Sequence, residues 1–449
     1  LKNGKTIFNE GGCFCFSGPV PGDSKKRKER MMKKTLLSVL AILALVAVGA
    51  SAQTTKVLKI WHYEGADGAM GKAWAEAMKQ FEATHPGVKV QFESKGFEQI
   101  RQTAGMVLNS DDVPDVMEYN KGNASAGLLS TQGLLTDLTP VATKRGWDKL
   151  LSPSLQTTSR YNDKGIMGSG NWYGVTNYGE YVMVYYNKDL FKKYGVKVPT
   201  TLADLEAASA AFVKAGVVPM AIGGAEYPAQ HVFYSLALSN ASKSFLNAYE
   251  LYQGKFSFTG PEFTFAANKM VDWNTKGYFG KDIAGQKAEA MGLAFEGGKV
   301  AMMISGSWWF GRLQSEIKGF EWGSFLFPGK FSPGSGGNLW VVPQNAKNKD
   351  LAYDFIDITL HKDIQTLLGT SGGIPVAADP SKITDPKTKE LIQNYSTLLA
   401  NDGLGFYPDW PAAGFYDTLV SGVQDLLLGK PVNGVLTALD KAYNDNKPQ

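Results

Sequence analysis

Apolar and polar positions alternate over Lys56 to Ile60 with the period of a half-buried strand. The spacing then turns helical, and Met70, Trp74, Ala77, Met78 and Phe81 fall on one face until His85-Pro86-Gly87 ends the helix. Val88, Val90 and Phe92 alternate as a second strand, Ile100, Ala104, Val107 and Leu108 mark a second helix, and Val113 to Met117 reads as a third strand. This β-α-β-α-β order predicts a parallel sheet covered by helices, because crossovers between parallel strands are right-handed. A similar unit is expected later: a strand at Tyr181 to Tyr186, a helix starting near Thr200 or Thr201, and a strand at Val217 to Ile222. Helices at Phe263 to Trp273 and Ala288 to Phe295, strands at Val300 to Ile304 and Leu339 to Val342, and a mostly helical remainder from Asp350 complete the pattern.

In such sheets, ligands bind beyond the carboxyl ends of the strands. That draws attention to Trp61-His62-Tyr63-Glu64 after the first strand and Tyr119-Asn120-Lys121 after the third.

With 449 residues, 44% hydrophobic and 20% charged, the chain has room for two or three globular domains and does not have the composition of a disordered one. The first 52 residues hold nine of the 46 basic and three of the 42 acidic side chains, so the remainder carries a net charge of −2. A near-neutral body has no electrostatic footprint for nucleic acid. Met31 to Lys34 followed by the apolar run Leu36 to Ala50 and by Ala50-Ser51-Ala52 predicts a secretory signal peptide cleaved after Ala52. Residues 1–30 read as sequence upstream of the true start or as a basic cytosolic extension at Lys25 to Arg30. Both cysteines, Cys13 and Cys15, precede that cleavage site, so the exported body is expected to have no disulfide, thiolate metal site or lipid-bearing cysteine. A periplasmic or secreted location follows.

Candidate catalytic motifs fare poorly. Gly369-Thr370-Ser371-Gly372-Gly373 matches G-x-S-x-G, but helical periodicity precedes it, and His62, His85, His231 and His361 all lie upstream, against the order such hydrolases need. No phosphate loop, zinc helix or cofactor motif is present. Carboxylate pairs drawn from Glu64, Glu180 and Glu226 keep a secreted glycoside hydrolase open as an alternative. The richer signal is aromatic. Trp, Tyr and Phe make up 12% of the chain and sit with amides and carboxylates in loops after strands: Trp61 to Glu64, Tyr119 to Asn123, Asn177 to Glu180, Glu226 with Tyr227, and Trp308 with Trp309 after Val300 to Ile304. A sugar presents an apolar C–H face and a rim of hydroxyls, which flat rings and planar polar groups match.

Four stretches resemble, in order, the carbohydrate-binding branch of the extracellular solute-binding proteins of bacterial ABC importers, which includes the maltose-binding proteins. They are Val57-Leu58-Lys59-Ile60-Trp61; Val113-Pro114-Asp115-Val116 with Gly133-Leu134-Leu135-Thr136-Asp137-Leu138; Tyr185-Tyr186-Asn187-Lys188-Asp189-Leu190-Phe191 before Pro199; and Ala294 to Met302 leading to Gly306-Ser307-Trp308. The resemblance implies a two-lobe α/β fold with interleaved segments, a central cleft and three hinge crossings, at Trp172 to Asn177, Gly334 to Asn338 and Leu368 to Ile374. One lobe would hold residues 53–175 and 338–372, the other 176–337 and 373–449.

By the same resemblance a mono- or oligosaccharide would meet Trp61, His62, Tyr63 and Glu64 on the opening loop, and Tyr119, Asn120 and Asn123 on the next. Asn177, Glu180, Glu226, Tyr227 and Trp308 would complete the site, with Trp308 as the main stacking ring. Trp410, Phe415 and Tyr416 compete for a late aromatic position. Gly336-Gly337 would either let a backbone approach the ligand or serve the hinge. The resemblance further implies a monomer without cofactor or metal, delivering its sugar unchanged to the permease of an ABC importer. His62 and Tyr63 depart from the more charged maltose-type loop, and Asn123 replaces an arginine, so maltose specificity is not implied.

Overall fold

The strand opening the fold runs one turn of pleat further than its alternation suggests, because His62 is as buried as Leu58 and Ile60. In the computed structural model, which describes residues 56–448, strands β1 (Lys56–His62), β2 (Val88–Ser94), β3 (Val116–Tyr119), β4 (Arg160–Tyr161), β5 (Asn171–Trp172), β6 (Val175–Thr176) and β7 (Tyr178–Asn187) come first. They are followed by β8 (Val218–Ala221), β9 (Val300–Gly306), β10 (Trp322–Phe325), β11 (Gly334–Gly336), β12 (Leu339–Val341) and β13 (Ile374–Pro375). The expected leader and both cysteines lie outside the described residues.

Two sheets carry the architecture. The first has the order β2-β1-β3-β12-β6, with β1 parallel to both β2 and β3, as the β-α-β-α-β pattern requires. The second runs β10-β7-β9-β8, with β11 and β13 also pairing with β7. Each connecting helix buries the face its periodicity marks: Ala69–Thr84 buries Met70, Trp74, Ala77 and Phe81, and Phe97–Leu108 buries Ile100, Ala104 and Leu108. The helix expected at Thr200 or Thr201 starts with Thr201 as N-cap, in a capping box with Asp204 that satisfies two orphan backbone donors.

Two differences from the sequence reading have physical causes. The third strand spans Val116–Tyr119 rather than Val113 to Met117, because Pro114 has no N–H to donate and Asp115 is turned to another task. Its carboxylate accepts the backbone N–H of Lys59 (2.9 Å), Lys347 (3.1 Å) and Asn348 (2.8 Å), tying β1 to the start of the helix Lys349–Leu360. Asp115→Ala is therefore expected to cost about 2 kcal/mol, since it removes a buried carboxylate that gathers three part-buried donors into a charge-assisted network. Urea unfolding checks this, and a loss below about 1 kcal/mol would show that the network is dispensable. The second difference concerns β7 and β8, which do not pair; β9, buried at all seven positions, takes the central place between them, antiparallel to β7 and parallel to β8.

The result is a two-lobed α/β fold whose chain passes between the sheets at three places: Thr176 to Tyr178, Gly336 to Leu339, and Thr370 to Ile374. The first two crossings are laced together, for Gly337 N–H donates to the Tyr178 carbonyl (2.7 Å) and the Thr176 hydroxyl to the Gly337 carbonyl (3.0 Å). A Cβ at Gly337 would stand 2.3 Å from the Tyr178 ring, so only glycine permits this approach. Gly369 to Gly373 is a helix end with Gly372 at φ +89°, running into β13; it is not the strand-turn-helix of a nucleophile elbow.

Candidate functional site

Where β1, β3 and β9 end, their following loops converge with the crossings on a cavity of about 730 Å³. That is within the range of about 300–1,000 Å³ for small-ligand sites. β1 delivers Tyr63 and Glu64, β3 delivers Asn120 and Lys121, and β7 contributes Tyr178 and Glu180 at its start. Trp308 follows β9, Asn338 stands on the second crossing, and Tyr407, Asp409, Trp410 and Tyr416 come from the last third of the chain.

Aromatic rings build one wall. Trp308 meets Tyr227 (6.2 Å), His231 (6.0 Å) and Tyr407 (6.3 Å), and Tyr407 in turn meets Trp410 (5.1 Å). The Trp308 ring folds back over Gly306, where a Cβ would lie 2.0 Å from it, so this glycine sets how closely the indole lies on the strand end. Polar groups line the cavity beside these rings. Lys121, 2% exposed in its side chain, forms an ion pair with Glu180 and donates to Asn338 Oδ1 at 3.0 Å. Its ammonium also stands 5.5 Å from the ring centres of both Tyr407 and Trp410. The Tyr178 hydroxyl donates to Glu64 Oε1 at 3.3 Å, and Tyr63 N–H donates to Glu118 Oε2 at 3.4 Å.

Burial sets the electrostatics. It raises the carboxyl of Glu118 well above its ordinary range, with the Glu64 charge adding to the effect, and raises Glu64 and Asp409, the latter to about 6. Burial also lowers His62 to about 4 and His231 to about 3. The two families pull stability in opposite directions. Asp409 stabilises fully below its unfolded value of 3.8, and that contribution is lost as pH rises through 6. The neutral histidines stabilise fully above 6.5, and their contribution is lost as pH falls toward the folded values. His231→Phe is accordingly expected to remove about 2 kcal/mol of the stability that the protein loses between pH 7 and pH 5. Melting curves at the two pH values test this; an unchanged difference would mean that His231 does not titrate as a buried group.

Of the residues expected in the site, the cavity brings together Tyr63, Glu64, Asn120, Glu180, Tyr227, Trp308 and Trp410, with Tyr416 beside them. The others lie elsewhere. Trp61 sits under Lys95 Nζ at 4.4 Å, and His62 stacks on Phe92 at 4.3 Å while its Nδ1 accepts Glu64 N–H. Tyr119 is core. The Asn123 side chain is consumed by the Glu250 carbonyl and Met167 N–H (2.8 and 2.9 Å), and the fully buried Asn177 donates its amide to Thr359 (3.0 Å) while its Oδ1 has no partner. Glu226 accepts Ala288 N–H at 2.9 Å at the start of the helix Ala288–Glu296, which removes it from any hydrolytic pair facing the cavity. Gly336 and Gly337 belong to the second crossing, and Phe415 packs on Phe258. Asn338, His231, Tyr407 and Asp409 were missed, and Lys121 was read only as part of the loop after the third strand and not as a contact; the ring-rich run Phe406 to Trp410 was the available signal for Tyr407 and Asp409.

The model for the family described as bacterial extracellular solute-binding protein matches residues 65–364. The chain belongs to that family. Among relatives of this solute-binding protein, a "probable sugar-binding periplasmic protein" of Mesorhizobium japonicum is 27% identical over 326 residues, 70% of this chain and 74% of that one. A solved structure from work on xylan utilization by Caldanaerobius polysaccharolyticus superposes with a TM-score of 0.74 at 23% identity, covering 86% of this chain and 99% of that one. A chitin oligosaccharide binding protein gives 0.72 at 22% identity, covering 87% and 98%. These likenesses establish the two-lobe fold. Among the described residues no cluster of side chains is suited to a metal ion, and no helix is long and apolar enough to cross a membrane.

Proposed function

We propose that this solute-binding protein captures a saccharide between its lobes outside the cytoplasm and passes it, chemically unchanged, to the permease of an ABC importer. The observation that carries this reading is the pairing of Trp308 and its neighbouring rings with Glu64, Glu180, Asn120 and Asn338 in one cavity at the sheet crossings. Rings cover the apolar face of a sugar, and carboxylates and amides take its hydroxyls. The names of the relatives point the same way.

In this reading residues 53–175 with 338–372 form one lobe and 176–337 with 373–449 the other, and the three crossings flex as a hinge. Sugar that contacts both lobes favours the closed state by its differential affinity for it. The protein acts as a monomer without cofactor, periplasmic or secreted, and residues 31–52 serve as its signal peptide. Tryptophan fluorescence titrated with mono- and oligosaccharides tests the reading: saturable change is expected with at least one, and no response to any would reject it. Labelled oligosaccharides incubated with the protein should remain intact; turnover lost on changing Glu64 or Glu180 would instead make it a glycoside hydrolase.

A further inference from the structure

The cavity holds more negative charge than its own cations can answer. Seven acidic side chains line it against two basic ones. Arg312 is already committed at the outer rim, with Glu289 and Glu296 each at 2.7 Å. Of the lining cations that leaves Lys121 to face Glu64, Glu180, Asp409 and, behind Glu64, Glu118; Arg101, outside the lining, also acts on Asp409 but is itself paired with Glu98 and Asp417, and the direct contacts of Lys121 are Glu180 and Asn338.

The deficit is sharpest at Glu64 and Glu118. Between them they accept two long hydrogen bonds from neutral donors, Tyr178 and the Tyr63 amide, and neither is ion-paired. Glu118, 2% exposed, receives no N–H or cation at its Oε1, and its carboxyl lies within hydrogen-bond reach of the Glu64 carboxyl. Burial and mutual repulsion raise both carboxyls, which places the pair to share a proton where a cation is missing. An independent feature faces the same cavity: His231, 6% exposed, has an unpartnered Nδ1 and is kept neutral by burial, so it offers a polar contact and no opposing charge.

We propose that the ligand is a saccharide bearing a free, protonated amino group, which sits against Glu64 with Glu118 behind it. This rests on the saccharide reading above. A neutral sugar can donate hydroxyls to these oxygens, but it leaves the enclosed charge unanswered once the cleft excludes water. An ammonium supplies three donors and the charge together, with the surrounding ring faces adding cation–π attraction. It takes the place of the shared proton, which is released to solvent. Asp67 and Glu316, exposed on the cavity lining, add attraction for a cation.

The test is isothermal titration calorimetry at pH 7 in two buffers of different ionisation enthalpy. The ligands are mono- and disaccharides of matched linkage carrying an amino, an N-acetylamino or a hydroxyl group at the same carbon. The amino form is expected to bind at least about tenfold more tightly than either counterpart, with release of about half a proton or more. Glu64→Gln should reduce that ratio toward one. Because proton release is read on the unaltered protein, the proposal does not depend on the variant folding. Equal or tighter binding of the neutral sugars without proton release overturns this proposal and leaves the saccharide reading standing. Binding of no saccharide at all overturns both.

Discussion

Trp308→Ala weakens saccharide binding at least about tenfold, equivalent to about 1.4 kcal/mol, because it removes the indole at the centre of the ring cluster that lines the cavity. Three neighbouring rings stand about 6 Å from it, too far and too tilted to slide into its place, and Gly306 beneath has no side chain to fill the gap. Titration calorimetry with whichever sugar gives the fluorescence response is the measurement. Affinity within about twofold of the parent would place the stacking surface elsewhere, with Trp410 the next ring to change.

Lys121→Met is the variant expected to cost the most stability. The Lys121 ammonium and the Glu180 carboxylate are 2% and 5% exposed in their side chains, so removing the cation strands a buried anion beside Glu64 and Glu118. Breaking such a pair from one side costs about 3–5 kcal/mol, whereas removing both charges costs far less. Lys121→Met with Glu180→Gln should therefore recover more than half of the loss. Urea unfolding of the two single variants and the double variant forms the cycle that decides it. Simple additivity of the two losses would mean that the charges do not interact. The pair also links the loop after β3 to the start of β7, so it joins the two sheets across the cleft.

How legible all this was differs by level. Helix Ala69–Thr84 was readable because its apolar spacing continues for several turns and His85-Pro86-Gly87 ends it; helix Leu202–Lys214 was readable because Thr201 can cap it. Strand β3 starts three residues later than expected because Pro114 and Asp115 serve a junction that periodicity does not record. In the site, Tyr63, Glu64, Glu180 and Trp308 could be proposed because each adjoins a recognisable strand. Asn123 and Asn177 have the same chemistry as the residues that line the cavity, yet Asn123 is spent on Glu250 and Met167, and Asn177 is buried away from the cavity with its nitrogen on Thr359. Tyr407 and Asp409 follow no strand, and only the path of the last third of the chain brings them to Trp308 and Lys121.

Local periodicity and turn chemistry are short-range properties, so the chain by itself determined the helices of clear period, the longer strands, the parallel opening sheet and a set of ring-bearing loops, but not helices such as Ala229–Leu238, which is buried all round and so has no polar face to read. Which loops meet depends on contacts between residues from 55 to 217 positions apart. Only the tertiary structure placed β9 between β7 and β8, turned Glu226 to a helix end, and gathered four carboxyl groups around one lysine. Burial then set the charge balance there, since desolvation acts on groups by their depth in the fold and not by their order in the chain.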